Sequence, residues 1–432
     1  MNASLAGAED VAGARHEQAL GSLVPQGWRY VRLTSVAKLE TGHTPSRRNP
    51  SYWNGDIPWV SLLDTVGLNG ATISATRDSV TREGIANSSA RLLPAGTVIF
   101  SRTATVGKST VMGREMATSQ DFANYICGPE VHNHFLVYLF RHMAPEWRKL
   151  MAGSIHNTVY MPVFRVLQVL LPSHAEQVAI AKALSDTDAL IESLEQLLAK
   201  KRQIKLGAMQ ELLTGQRRLP GFEAKWEEQS LDELFSFSGG HTASRDQLGS
   251  HGHCYLHYGD IHTSTKTCIE LPGEREAIPK LDIALKKVSP NAMLAHGDVV
   301  FVDASEDDEG TSRHIVVSNP TALPFIAGLH TIVAKAKSNE LDLLYRRHCF
   351  QTASVKAQFR FFAVGTKVSG VSKSNIRKIT VLVPSTEEQT AIAATLSDMD
   401  LELTALEARL AKTRLLKQGM AQALLTGRIR LV

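Results

Sequence analysis

Residues Thr41, Gly42, His43, Thr44, Pro45, Ser46, Arg47 and Arg48 put hydroxyls, an imidazole and two guanidiniums into one short turn-forming stretch. That composition suits hydrogen bonding to phosphates and to base edges. A counterpart stands at Gly239, Gly240, His241, Thr242, Ala243, Ser244 and Arg245. The plainer alternative for each stretch is a glycine turn between two strands, with incidental polar neighbours. Ser101, Arg102 and Thr103 with Lys108 form a further basic, hydroxyl-rich loop, as does the stretch from Lys367 to Lys373. Tyr52, Trp53 and Trp59 suit a core as well as an interface.

Other chemistry is poorly supplied. Asn49-Pro50-Ser51-Tyr52 imitates the tetrapeptide with which amino-methyltransferases hold a target amine, but the second proline is missing and no Gly-rich strand-to-helix turn precedes it. No G-x-x-x-x-G-K-[ST] loop occurs, which excludes a P-loop ATPase. His251, His253, Cys254, His257 and His262 crowd together at a spacing that matches no common zinc pattern, so a His-rich strand and loop is expected and no metal. Glu306, Asp307, Asp308 and Glu309 beside a glycine read as an exposed turn.

The whole chain bounds these readings. Its 432 residues exceed one hydrophobic core and call for two or three domains. A formal charge of +4 permits a nucleic-acid partner without requiring one. Four scattered cysteines suit a reducing compartment. The first 25 residues carry charges where a signal peptide needs an apolar core, and nowhere do 18 apolar residues run together. A cytoplasmic protein is expected, its residues 1–25 a mobile Ala- and Gly-rich leader.

A duplication organises the rest. Residues 172–219 and 384–431 align without a gap at an offset of 212 (384 − 172), with about half of the positions identical. A weaker echo precedes each: Trp28, Leu33, Gly42, His43, Thr44 and Ser46 match Trp226, Leu231, Gly240, His241, Thr242 and Ser244, offset by 198 (240 − 42). Ser173 with Glu176, and Ser385 with Glu388, are capping boxes that start a short helix in each copy. Ser185 with Asp188 and Ser397 with Asp400 mark a second start, of a helix about 30 residues and 45 Å long. Leu184, Ile191, Leu194 and Leu198, matched by Leu396, Leu403, Leu406 and Leu410, form an apolar seam. Each helix closes at Leu-Leu-Thr-Gly, with Gly215 and Gly427 as left-handed caps. Two seams on one chain favour pairing with each other, antiparallel, over packing on separate domains. The globular units contain short apolar runs, Thr97 to Phe100, Val299 to Val302, His314 to Val317 and Ile379 to Val383, that read as strands. The expected fold is α+β: globular units at 26–171 and 222–383, helical regions at 172–221 and 384–432, the long helices an antiparallel coiled coil with pseudo-two-fold arrangement.

This constellation resembles the specificity subunit of type I restriction-modification systems over nearly its whole length. The residues that carry the resemblance are Thr41 to Ser46, Ile57-Pro58-Trp59-Val60, Leu93-Pro94-Ala95-Gly96 and Tyr255 to His262. Most specific is Pro-x-x-x-Glu-Gln, with Glu176 and Gln177, then Glu388 and Gln389, each followed by a helix ending Leu-Leu-Thr-Gly. The resemblance implies a non-catalytic DNA-recognition subunit that reads an asymmetric bipartite target, one half-site per unit. It implies double-stranded DNA, two methyltransferase subunits and restriction or translocase subunits as partners, with S-adenosylmethionine, ATP and Mg used by those partners and no cofactor bound here. DNA contacts are expected from Thr41, His43, Thr44, Ser46, Arg47, Arg48, Ser101, Arg102, Lys108, His241, Thr242, Ser244, Arg245, His257, Tyr258, Lys367 and Lys373. Glu176, Gln177, Glu388, Gln389 and the seam leucines are expected to pair the helices or dock partners. A free-standing DNA-binding regulator and a helical assembly scaffold are the other readings.

Overall fold

A computed structural model describes residues 24–151, 157–264, 266–305, 310–365 and 369–431. The chain divides into two units, Met1–Glu195 with Ala408–Val432, and Gln196–Glu407. Most of the expected leader, residues 1–23, lies outside the described residues, as do Lys367 and the acidic run at 306–309.

The first unit is built on a five-stranded sheet in the order Ala37–Thr41, Phe122–Cys127, Val98–Ser101, Ser109–Met112, Thr72–Ile73. Every pairing is antiparallel except the last, which is parallel. Val98–Ser101 and Ser109–Met112 are buried along their whole length, which explains why Val98-Ile99-Phe100 is an unbroken apolar run rather than an alternating one. Helix Asn133–His142 covers the sheet with Phe135, Leu136, Leu139 and Phe140. Phe100 meets Phe140, Trp147 and Phe164 edge-on, with centroids 4.9–5.2 Å apart. A smaller sheet runs Asp78–Val80, Trp53–Val60, Ala117–Thr118, its final pair parallel.

The second unit repeats this plan. Its five strands follow the order Phe235–Gly239, Thr331–Ala336, Val299–Val302, His314–Ser318, Cys268–Glu270, again antiparallel until a parallel last pair. Its smaller sheet also ends on a parallel pair, His253–Leu256 with Phe325–Ala327. Phe301 stands where Phe100 does, packed on Phe350 and Phe359. The four apolar runs singled out in the sequence are therefore strands, with ends displaced by a residue at most.

Each long helix is continuous for 39 residues, His174–Leu212 and Thr386–Leu424, or about 58 Å. The second start expected at Ser185 and Ser397 is not a boundary. Asp188 turns outward to the Tyr138 hydroxyl (2.8 Å) and to Lys417, and Asp400 to Lys205, so neither caps a helix. In the first unit Asp188 pairs with Lys417, and Glu195 with Arg414; in the second, Lys201 pairs with Glu402 and Lys205 with Asp400. One number rises as the other falls, so the helical segments run antiparallel within each unit. Leu184, Leu194, Leu198, Leu396 and Leu410 are buried, while Ile191, Leu403 and Leu406 are half-buried. Gly215 (φ 71°) and Gly427 (φ 70°) take the left-handed conformation beyond the helix ends.

The capping boxes are only half formed. Ser173 Oγ accepts the Glu176 amide at 3.2 Å, but the Glu176 carboxylate does not return to Ser173. It is fully buried, accepts the Trp28 indole N–H at 3.1 Å, and takes two bonds from Arg430 at 2.5 and 2.7 Å. Glu388 does the same with Trp226 (2.8 Å) and Arg218 (both 2.6 Å). Gln177 donates to the carbonyls of Glu130 and Pro172 and accepts from the His132 amide; Gln389 repeats this with Glu340, Pro384 and Asp342. Glu176, Gln177, Glu388 and Gln389 therefore cannot dock a partner, because no surface of theirs is left to touch.

Two of the buried histidines of the second unit, His314 and His348, are almost without solvent contact. Burial pushes the pKa of both His314 and His348 down to about 4; at His348 nearby Lys205 adds to the effect. The unfolded chain, with histidines near 6.5, binds more protons between those values. Stability is thus complete above pH about 6.5 and falls as the pH drops towards 4, by on the order of 3 kcal/mol for each histidine. Urea titrations at pH 7.5, 5.5 and 4.5 should show the second unit weakening, and His348→Leu should flatten that slope; an unchanged slope contradicts the assignment.

Candidate nucleic-acid interface

The polar loops begin where the first strand of each main sheet ends. Beyond Thr41 the chain presses on its neighbour: a Cβ at Gly42 would lie 2.1 Å from the Ser119 carbonyl oxygen. The His43 amide donates to the Thr118 carbonyl at 2.9 Å, and the His43 carbonyl accepts the Trp59 indole N–H at 3.0 Å. In the second unit a Cβ at Gly240 would lie 1.8 Å from the Gly328 carbonyl oxygen. The His241 amide donates to Ala327 at 2.7 Å, and its carbonyl accepts the Tyr255 hydroxyl at 2.7 Å. Neither glycine is among those with positive φ, so close backbone approach, not a turn, demands it. Main-chain groups are spent on anchoring, and the side chains that follow project from a fixed base.

Several candidates are consumed in that anchoring. Ser101 is fully buried, bonded to the Thr105 hydroxyl at 2.9 Å and the Thr103 carbonyl at 3.2 Å, so it cannot contact DNA. Arg102 donates to the Gln120 carbonyl at 2.9 Å and reaches the Val159 carbonyl at 3.5 Å; its partial burial pushes its pKa down. Arg47 binds Asp78 at 2.5 Å and lies 3.5 Å above the Trp53 ring, which itself meets Trp59 edge-on. Lys108 donates to the Thr65 carbonyl at 3.1 Å. His257, 8% exposed, accepts the Gly259 amide at 3.0 Å, caps the short helix Tyr258–Thr263 and cannot reach far into solvent. Burial pushes its pKa down, with Arg245 adding to the effect.

What remains outward differs between the units. In the first, Thr41, His43, Ser46 and Arg48 are exposed, and the Arg48 guanidinium has no partner among the described residues; Thr44 is half-buried and donates to Gln120 at 2.7 Å. In the second, Thr242, Ser244, Arg245 and Lys373 are exposed, His241 and Tyr258 half so. Ser244 closes a capping box with Gln247, and Arg245 is steadied by Asp260 at 2.9 Å.

The loops also meet partners that no sequence signal marked. Gln120 joins the Thr44 loop to Arg102, and Thr103 bridges to Thr158, bringing the exposed Tyr160 alongside. In the second unit Tyr258 and His330 pack edge-on at 5.4 Å, and with His262 and Ser305 they border a cavity of about 340 Å³. These contacts cross 18 to 76 residues of chain, beyond the reach of local pattern. Among the described residues no three His, Cys, Asp or Glu side chains are grouped to hold a metal. No described helix is long and apolar enough to cross a membrane.

A family model described as the type I restriction modification DNA specificity domain matches residues 25–202 and 223–413. The chain belongs to that family. Among curated members, the MjaIX specificity subunit of Methanocaldococcus jannaschii is 28% identical over 172 residues, 39% of this chain and 40% of that one. The HindI specificity subunit of Haemophilus influenzae is 28% identical over 153 residues, 35% of this chain and 33% of its own length. The chain thus spans two fifths or less of these two relatives, whereas the MjaVIII specificity subunit aligns over 95% of both chains at 22% identity. The fold of the specificity subunit from M. genitalium is similar, with TM-score 0.54 and 14% identity over 92% of this chain and 96% of that one. So is that of the HsdS subunit of Thermoanaerobacter tengcongensis, with TM-score 0.51 and 17% identity over 94% and 98%.

The anchors and the projecting side chains should separate on mutation. Gly42→Ala and Gly240→Ala each force a main-chain clash and should cost about 2 kcal/mol or more, whereas Arg48→Ala and Thr242→Ala should stay within about 0.5 kcal/mol of the parent. Urea unfolding of the four variants checks this; equal stabilities would show that the glycines are incidental.

Proposed function

We propose that this chain is the DNA sequence-specificity subunit of a type I complex, reading an asymmetric bipartite target with one half-site per unit. The observation that carries the reading is that two units share one strand order and one glycine–histidine anchor, while Thr41 and Arg48 of the first give way to Gly239 and Asp246 in the second and the retained arginines bind different partners, Arg47 on Asp78 and Trp53, Arg245 on Asp260. Like scaffolds with unlike loops suit unlike half-sites. Phosphate contacts would come from Arg48, Arg245 and Lys373, and Thr41, His43, Thr44, Ser46, His241, Thr242, Ser244 and Tyr258 would face base edges or sugar.

Chemistry would rest with partners. Two methyltransferase subunits using S-adenosylmethionine would dock on the helical regions, and restriction or translocase subunits would use ATP and Mg. This chain would bind no cofactor and act in the cytoplasm, contributing the choice of sequence and the distance between half-sites. With its buried glutamates and glutamines unavailable, docking would fall on the outward helix faces, where Leu206 and Leu415 are exposed.

Sequencing N6-methyladenine in the source genome, with and without this gene, tests the proposal. Methylation at one asymmetric two-part motif should vanish on deletion and return on complementation. An unchanged methylome, together with tight sequence-specific binding by the purified chain alone, would instead establish a free-standing regulator.

A further inference from the structure

The edge of the main sheet differs between the two units in a way the DNA-reading proposal does not use. In the first unit the Val111 amide approaches the Ala71 carbonyl, and in the second the Val316 amide approaches the Thr267 carbonyl, so Gly70 and Lys266 occupy matching places. Arg141 fills the niche beside Gly70: its guanidinium donates to the carbonyls of Leu68, Asn69, Gly70 and Ser109 at 2.7–3.2 Å. In the second unit no described residue fills the equivalent place, a cleft of about 230 Å³.

Among the described residues every charged side chain of its lining is a cation. Lys266, Arg313 and Lys356 border it together with Thr267, Ser312 and His314, and no carboxylate does so among the described residues. Lys266 is shared with Glu274 at 2.5 Å, and Arg313 donates to the His262 carbonyl. Lys356 has no hydrogen-bond or ion-pair partner among the described residues, although it is only half-exposed. Nε2 of His314, 5% exposed, likewise lacks one. A half-buried cation without a matching anion, as Lys356 is among the described residues, is stable only where an anion or water completes it. Three cations around a cleft of this size, with hydroxyls between them, suit a tetrahedral oxyanion.

We propose that this cleft seats a phosphate group, and that the phosphate belongs to the DNA backbone beside the second unit's half-site. The inference rests on the DNA-reading proposal and deepens it. Placement supports the DNA source: Ile261, which borders the cleft, lies in the same short helix as Tyr258 and His262, next to the recognition loops. The contact carries no sequence information and fixes register, so its loss lowers affinity alike for all sequences.

The test uses the chain assembled with its methyltransferase subunits. Binding to target and to scrambled duplex DNA is measured from 50 to 200 mM salt for the parent, Lys356→Ala and Lys356→Arg. Lys356→Ala should bind both DNAs more weakly, and its log–log salt slope should be shallower by about 0.9, so that the parent loses about 3.5-fold more affinity across that range. Lys356→Arg should restore the slope, and melting temperatures should match throughout. An unchanged slope in Lys356→Ala, with the parent still preferring its target, overturns the cleft and spares the function. A parent with no sequence preference overturns the function itself. Inorganic phosphate is titrated into the parent as a separate arm. If it raises the melting temperature at low millimolar concentration while the Lys356→Ala slope stays unchanged, the site takes a small phosphate and the DNA assignment fails.

Discussion

Two carboxylates without solvent contact, Glu176 and Glu388, set the terms for the rest of the molecule. A buried carboxylate is tolerable only when its lone pairs are filled by charged or well-aimed donors. Here each receives an indole N–H from a tryptophan just before a short strand, Arg29–Arg32 or Glu227–Ser230, and a two-pronged guanidinium from the tail that follows a long helix. The bidentate geometry fixes direction as well as distance. The arrangement is crossed: Arg218, beyond the first helix, serves Glu388 at the start of the second, while Arg430, beyond the second, serves Glu176 at the start of the first.

That crossing gives a physical reason for the uneven resemblance of the two halves. Each helical segment donates its arginine to the other's glutamate, so neither segment can change its register, its cap or its tail alone. The recognition units carry no such obligation. Their shared requirements are local: a glycine that lets two backbones meet, a histidine whose main chain is tied to a neighbour, and a sheet order that buries Phe100 or Phe301. Beyond those anchors a side chain can change or find another partner without disturbing the scaffold: Arg48 gives way to Asp246, and the matching arginines sit on Trp53 (Arg47) and on Asp260 (Arg245).

Much of this was legible in the residues, and the failures are instructive. The duplication, the left-handed glycines at 215 and 427 and strands such as Val299–Val302 follow from local pattern, and the structure contains them. The capping-box reading of Glu176 and Glu388 went wrong because the motif specifies a backbone partner three residues away, whereas an arginine and an indole far along the chain bind more strongly. A signal was present: Trp28 and Trp226, Glu176 and Glu388, Arg218 and Arg430 are identical in the two copies. Ser101 was misjudged because a hydroxyl in a basic stretch looks the same whether its strand ends at the surface or in the core. The cleft at Lys356 was invisible because its walls come from four separate segments.

Hydrogen exchange read segment by segment, on the intact chain carrying Glu176→Gln or Glu388→Gln, tests most directly whether the crossed carboxylates hold the units. With Glu176→Gln, protection should fall around residues 24–36, 168–180 and 420–431 and persist around 226–235 and 380–392; Glu388→Gln should lower it around 212–235 and 380–392 instead. Protection indistinguishable from the parent in both variants would contradict the account.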